Sequence, residues 1–117
     1  MIQGFAGFWA PPVDLYETDD MLVLHVELPG MILGEVELFA NPRSVIVRGT
    51  RRPPETGLSA ERLEIRTGRF ERDVQLPCRI DVDGMRASMR DGVLCIEMPK
   101  APGGSVGIRV DQENPDD

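Results

Sequence analysis

One histidine and two cysteines are the side chains of this sequence that could support acid–base, nucleophilic or metal chemistry. His25 lies between Val23 and Glu27 in an alternating run, where a histidine is more typical of a strand surface than of a general base. Cys78 and Cys95 fit no metal-ligand spacing and lie near no histidine in the sequence, and no glycine-rich phosphate loop follows a strand. We therefore predict no enzymatic activity, no metal site and no cofactor. Both thiols are expected to be unmodified in a reducing compartment.

The charges are divided unevenly along the chain. The net charge is −7, yet residues 43–72 hold eight arginines against four glutamates. Glutamates interleave with this basic band and acidic flanks surround it, so phosphate backbones would be repelled and nucleic-acid binding is not expected. No run approaches the roughly 20 apolar residues of a membrane helix, and no signal peptide is recognisable, so we expect a cytoplasmic protein that binds no membrane.

Short alternating runs separated by turn residues predict one all-β domain, which must position any functional site. Leu28-Pro29-Gly30 ends the first clear strand, and Asp91-Gly92 is a strong hairpin signal. We place an N-terminal arm at residues 1–12, the domain at 13–101 and a flexible extension at 102–117. The apolar positions that alternate along the predicted strands are Leu22, Leu24, Val26, Leu28, Val36, Leu38, Ala40, Phe70, Val74, Leu76, Met85, Ala87, Met89, Leu94, Ile96 and Met98.

A long loop interrupts this pattern at residues 51–62, which have no apolar period and contain two adjacent prolines. Loops of about 12 residues in compact domains usually have a function. The segment Leu63-Glu64-Ile65 that follows is a candidate short strand, too short to be stable alone, which the loop could carry to an exposed sheet edge elsewhere. The alternative is a plain surface loop. Arg72 shares a face with Phe70 and needs an acidic partner there, unless it is exposed at an edge.

Four segments, in this order and spacing, resemble the small heat-shock, or α-crystallin, family from Pro12 to Val110. The first is Asp14-Leu15-Tyr16-Glu17-Thr18-Asp19-Asp20 leading to Leu28-Pro29-Gly30, and the second is Val45-Ile46-Val47-Arg48-Gly49-Thr50-Arg51. The third runs from Gly68-Arg69-Phe70-Glu71-Arg72 to Leu76-Pro77, and the most diagnostic is Ala87-Ser88-Met89-Arg90-Asp91-Gly92-Val93-Leu94. Ile108-Arg109-Val110 is similar to the tail motif of the family, whereas the N-terminal arm is shorter than is common there.

The resemblance implies a two-sheet, immunoglobulin-like antiparallel β-sandwich, the α-crystallin domain, with seven or eight strands. It implies an ATP-independent chaperone, or holdase, that binds unfolding proteins and prevents their aggregation under stress. It also implies a homodimer formed by strand exchange, with Leu63, Glu64, Ile65 and Arg72 at the interface. The short arm argues against a large cage and leaves a small higher oligomer open.

Apolar side chains near both ends suggest further contacts. Phe5, Phe8 and Trp9 could bind client proteins weakly from each arm and strongly from several arms together, unless they pack on their own domain. Ile108 and Val110 point the same way from an extended segment and could enter a groove between edge strands, unless they belong to a fraying last strand. By resemblance, that groove is lined by Val36, Leu38, Ala40, Met85, Ala87 and Met89.

A second function fits the same fold. A non-catalytic binding module, such as a CS-domain co-chaperone or an assembly factor, uses a similar sandwich, and fold alone does not separate the two. The long loop and the Ile108/Val110 tail favour the holdase, because a monomeric adaptor needs neither.

Overall fold

The structure, a computed structural model, describes residues 8–53 and 57–102. Within these ranges the chain forms two antiparallel sheets, with strand orders β1-β2-β7-β6 and β3-β4-β5. The predicted all-β, two-sheet sandwich is therefore confirmed. The strands are β1 (Val13–Glu17), β2 (Met21–Glu27), β3 (Val36–Asn41), β4 (Ser44–Arg51), β5 (Gly68–Gln75), β6 (Arg86–Arg90) and β7 (Val93–Pro99). No helix in the described ranges is long and apolar enough to span a membrane.

The core lies between the two sheets and follows the alternation read from the sequence. Leu22 pairs with Met98, Leu24 with Ile96 and Val26 with Leu94 across β2 and β7, and all six side chains are fully buried. Val45, Val47 and Phe70 face them from the three-stranded sheet. Because every second residue of a strand points to the same face, each strand contributes one apolar row to the core.

The β6–β7 hairpin turns at the predicted Asp91-Gly92. Both residues have positive φ, 53° and 79°, which is the conformation of a two-residue turn that matches the twist of the flanking strands. The carbonyl of Gly92 accepts a hydrogen bond from the Leu28 N–H at 2.7 Å. A Cβ added at Gly92 would lie 2.9 Å from the Cα of Pro29, so glycine is required both by the backbone angle and by this close approach.

The candidate strand at Leu63-Glu64-Ile65 is not a strand in this structure. Residues 57–67 form an exposed connection between β4 and β5, with no regular structure and no neighbouring strand within the described chain. The physical reason is that three residues without a ladder partner make no inter-strand hydrogen bonds to offset the cost of ordering them.

The end of the arm that the structure describes also departs from the sequence interpretation, because it packs on the domain. Trp9 forms an isolated parallel bridge with Phe70, and both Trp9 and Pro11 are buried. The bridge consists of Trp9 N–H donating to the Arg69 carbonyl at 3.1 Å and Glu71 N–H donating to the Trp9 carbonyl at 3.0 Å. Pro11 has no N–H to continue such a ladder, so the contact stops after one residue.

Candidate self-association and client-binding surfaces

The long loop, defined from here on as residues 52–67 with 54–56 outside the described ranges, presents apolar side chains to solvent. Leu63 and Ile65 are each 80% exposed and Leu58 is 71% exposed. At its start, Arg52 donates a hydrogen bond to Glu35 at 2.8 Å. Glu35 also accepts one from the Ile32 N–H, and these two contacts lower the pKa of its carboxyl group. The loop is thus held where it leaves β4 and exposed further along.

Four sheet edges are available for contacts with other strands. β1 and β6 are the outer strands of the four-stranded sheet, and β3 and β5 those of the three-stranded sheet. An edge strand presents unpaired backbone N–H and C=O groups to any extended segment that approaches it. Of the four edges, β5 is partly covered, by Trp9 at the position of Phe70.

A groove separates the β3 and β6 edges at one side of the sandwich. It contains a cavity of about 270 Å³ lined by Leu38, Ala40, Val82, Met85, Arg86, Ala87 and Ile96. Four of the six residues predicted to form the tail groove, namely Leu38, Ala40, Met85 and Ala87, therefore meet around one cavity. The other two, Val36 and Met89, do not line it and pack against the core on the same two strands.

The aromatic residues predicted to bind clients divide into two groups. Phe8 is half-buried, with the Arg69 guanidinium 4.5 Å from its ring centroid. Trp9 is only 6% exposed, its ring centroid lies 5.3 Å from that of Phe70, and its indole N–H donates to the Gly68 carbonyl at 3.2 Å. Trp9 is therefore not available to a client in this conformation, and the alternative that it packs on its own domain describes it better. Phe5, Ile108 and Val110 lie outside the described residues.

Arg51 connects Trp9 to the far end of the long loop. Its guanidinium lies 4.4 Å from the Trp9 ring centroid, and its Nε and Nη2 donate to the Arg66 carbonyl at 2.9 and 2.6 Å. Burial lowers the pKa of Arg51, and the nearby Glu27 carboxylate opposes that effect. Sequence reasoning did not single out Arg51. The usable signal was its position as the last residue of β4, directly before the loop.

Arg72 lies on the inward side of β5, opposite Val47, as its place in the apolar row suggested. It is half-buried rather than enclosed, because β5 is an edge strand and a long side chain can extend its charge toward water. No ion pair of Arg72 is formed within residues 8–53 and 57–102. The acidic partner expected for it is therefore not supplied by the described part of the same chain.

The buried charge in this sheet is Glu71, which sequence reasoning missed. Its side chain is 11% exposed and its carboxylate lies 3.6 Å from the Arg48 guanidinium. Arg48 also lies 3.5 Å from Glu37 and stacks over the Phe39 ring at 4.6 Å. The backbone of Glu71 also takes part in the bridge that Trp9 makes to the β5 edge, and local alternation could not have indicated that contact.

The residues considered for chemistry are not brought together. His25 packs edge-on against the Tyr16 ring at 5.2 Å, and the Tyr16 hydroxyl donates to Asp14 at 3.2 Å, which raises the pKa of Tyr16. Cys78 and Cys95 are free, half-buried thiols. Across the described ranges, no group of three or more histidine, cysteine, aspartate or glutamate residues is placed to hold a metal ion.

Within the part of the chain that the structure describes, seven antiparallel strands form a sandwich with a β3–β6 edge groove and a long loop between β4 and β5, which is the arrangement of an α-crystallin-type domain. The model of the Hsp20/alpha crystallin family matches residues 14–111. The chain belongs to this family, as the resemblance predicted. The prediction that it is not an enzyme is confirmed on the same basis.

Curated relatives share about a third of their residues with this chain. The 17.7 kDa class II heat shock protein of Arabidopsis thaliana is 33% identical over 97 residues, which cover 80% of this chain and 62% of the relative. The 17.8 kDa class II heat shock protein of Zea mays is 35% identical over 96 residues, covering 80% and 58%. The chain thus spans about three fifths of the length of these relatives.

Solved structures agree with the fold over nearly their whole length. The hspA of Xanthomonas axonopodis superposes with a TM-score of 0.73 at 35% identity, covering 80% of this chain and 96% of that one. A small heat-shock protein from Xylella fastidiosa, described as having a distinct high order structure, superposes with a TM-score of 0.69 at 32% identity, covering 89% and 98%.

Proposed function

We propose that this chain is an ATP-independent holdase that associates with copies of itself and keeps unfolding proteins from aggregating. The observation that carries the proposal is the exposure of Leu63 and Ile65 on a loop that is anchored at both ends. A self-contained globule of this size has little reason to expose adjacent large apolar side chains, and such exposure commonly marks an interaction surface. Membership of the Hsp20/alpha crystallin family supports a chaperone function.

The dimer is proposed to form by strand exchange. Leu63-Glu64-Ile65 of each protomer would pair with a free sheet edge of its partner. We propose β1 for this role, because β5 is bridged by Trp9 and the β3 and β6 edges border the groove assigned to the tail. Exchange in both directions gives a symmetric contact. Arg72 would lie near this interface and find there the acidic group that the described part of its own chain does not offer.

The tail is proposed to join dimers into a small oligomer. Ile108 and Val110 would fill the cavity of the β3–β6 groove while the tail backbone pairs with an edge strand. Burying two such side chains stabilises the contact by about 3 to 6 kcal/mol, and ordering the tail offsets a good part of that. The resulting contact is weak enough to exchange.

Client binding is proposed to use the N-terminal arm. Phe5 and Phe8 would contact unfolding proteins directly, whereas Trp9 would contribute only after it leaves its site on Phe70. The apolar area of one arm gives poor affinity, because association and ordering offset most of the gain. Several arms on one assembly raise the effective concentration and favour clients with many exposed apolar segments.

We propose a cytoplasmic location for this assembly, on the grounds of the sequence alone. One similar protein, a 23.6 kDa heat shock protein of Arabidopsis thaliana that is 33% identical over 88 residues, is described as mitochondrial. Fractionation of the source cells followed by immunoblotting would test the location.

The proposed function is tested by measuring assembly and protection together. The variant Leu63→Ser with Ile65→Ser should be monomeric by multi-angle light scattering, because polar side chains remove the apolar contacts of the exchanged strand. Leu58→Ser is the matched control, since Leu58 is similarly exposed on the same loop but lies outside the exchanged segment. Wild-type protein should suppress heat aggregation of a test client without ATP. A monomeric wild type with no protective activity would refute the proposal and favour the binding-module alternative.

A further inference from the structure

Trp9, in the described part of the arm, lies beside the residues with which the long loop enters β5. This group of residues is called the Trp9 junction from here on. It consists of Trp9, Arg51, Arg66, Gly68 and Phe70. Trp9 packs on Phe70 and donates its indole N–H to Gly68, while Arg51 stacks on Trp9 and donates two hydrogen bonds to Arg66. Three side-chain hydrogen bonds from outside the loop thus end on the carbonyls of residues 66 and 68.

We propose that Trp9 and Arg51 are positioning residues of the dimer contact: they fix the direction in which Leu63-Glu64-Ile65 leaves the domain. This inference rests on the strand-exchanged dimer proposed above and names two residues on which its affinity depends. Neither residue touches the partner in this scheme. Arg51 acts through the carbonyl of Arg66, and Trp9 acts through the carbonyl of Gly68.

Ordering the loop has an entropic cost. Each residue that must adopt one backbone conformation loses conformational entropy on association. Residues 66–68 are already held by the junction, and Gly68 supplies the left-handed turn, at φ 90°, by which the chain enters β5. The segment that would be exchanged ends at Ile65, directly before Arg66, so its direction is set before the partner arrives.

Burial differs sharply across the junction. Trp9 is 6% exposed, whereas Leu63 and Ile65, which lie only a few residues before Arg66 and Gly68 in the chain, are each 80% exposed. The junction therefore joins a well-packed site to the exposed segment through the Arg51 guanidinium. The alternative hydrogen-bond partner of the Arg66 carbonyl is water, which imposes no direction on the loop.

The packing of Trp9 and the affinity of the dimer affect each other equally. If the packed position of Trp9 strengthens the dimer, then dimer formation must strengthen the packed position of Trp9 by the same factor. A client that draws the arm away from Phe70 would weaken the dimer, and dissociation of the dimer would lower the stability of the packed arm by the same factor. The arm and the loop would thus form one linked system, although they lie about 50 residues apart in the sequence.

The test measures the dimer dissociation constant of the full chain by sedimentation velocity over a dilution series. Arg51→Met keeps the aliphatic stem and removes both donors to Arg66, and Trp9→Phe keeps a ring on Phe70 and removes the donor to Gly68. We expect Arg51→Met to weaken the dimer about tenfold, equivalent to about 1.4 kcal/mol, and Trp9→Phe to weaken it less. Arg51→Lys should restore part of the affinity. The double variant should lose less than the product of the single losses, because the Arg51 guanidinium stacks on the Trp9 ring and each residue helps to hold the other in place.

The control is Val74→Ala, which removes buried methyl groups from β5 without touching the junction. It should lower the unfolding midpoint and leave the dimer constant unchanged. An equal weakening by Val74→Ala would overturn the inference, since general loss of stability would then explain every variant. A dimeric wild type whose affinity is unchanged in Arg51→Met and Trp9→Phe would overturn the inference alone, whereas a monomeric wild type would overturn the proposed dimer with it.

A second readout uses the fact that Trp9 is the single tryptophan of the chain. Its emission reports the junction without a label. Trp9 is already packed in the single chain, so dissociation should loosen it rather than expose it. On dilution through the dimer constant, acrylamide quenching of the wild-type emission should increase, and in Arg51→Met the increase should occur at higher protein concentration. Quenching that is constant while sedimentation records dissociation would show that the junction and the dimer are not linked, and would overturn the inference.

Discussion

The groove between β3 and β6 allows us to predict how strongly a change in the tail weakens the contact between tail and groove. Ile108→Ala removes the equivalent of three methylene groups from a side chain that is proposed to fill the cavity of about 270 Å³. At about 0.8 kcal/mol for each buried methylene, the loss is about 2.4 kcal/mol, or roughly a 50-fold weaker tail contact. Light scattering across a dilution series should therefore show dimers at concentrations where the wild type still forms larger assemblies.

Two partner variants make this experiment decisive. Arg109→Ala is the matched control, because in an extended segment this side chain points away from the face that carries Ile108 and Val110. Ala87→Leu changes the groove instead of the tail. Ala87 lines the cavity, so a larger residue there would occupy the space of the tail. Assemblies of unchanged size in both Ile108→Ala and Ala87→Leu would refute the tail-in-groove reasoning.

Three further predictions concern the domain itself. Arg48→Met should lower the free energy of unfolding by about 1 to 3 kcal/mol in urea titrations, because it leaves the carboxylate of Glu71 buried without its partner; the exposed Arg43→Met should change it little. Glu35→Gln should destabilise the fold at neutral pH. Because the folded-state pKa of Glu35 is lowered, that difference should disappear as the pH falls through this pKa, as thermal unfolding at a series of pH values would record. Gly92→Ala should lower the free energy of unfolding by about 2 kcal/mol or more in urea titrations, because residue 92 has a positive φ and lies close to Pro29. A urea midpoint equal to that of the wild type would contradict this explanation.

Much of the sandwich could be predicted because its information is local. A row such as Leu22, Leu24 and Val26 alternates with the more exposed Val23, His25 and Glu27, and that alternation indicates which face is buried. Asp91-Gly92 likewise specifies its hairpin from two adjacent residues. The meeting of the β3 and β6 edges is not local, and it was anticipated only through the family resemblance.

Features that depend on distant contacts were not readable from the sequence. Trp9 appeared to belong to a free arm, because nothing near it in the sequence indicates that it bridges to Phe70 about 60 residues later. The burial of Glu71, beside this bridge, was likewise not indicated by its neighbours in the sequence. Leu63-Glu64-Ile65 has the composition of a strand, but a strand needs a ladder partner, and composition does not indicate whether that partner lies in the same molecule.

The pairing of β2 with β7 has a consequence for synthesis on the ribosome. β2 ends at Glu27, while β7, its neighbour at the centre of the four-stranded sheet, is complete only at Pro99. At about 5 to 20 residues per second, the roughly 70 intervening residues take on the order of 4 to 14 seconds to translate. During that interval the emerging Leu22-Val23-Leu24 stretch has no β7 to cover it, so the nascent chain is itself exposed to aggregation before its fold can close.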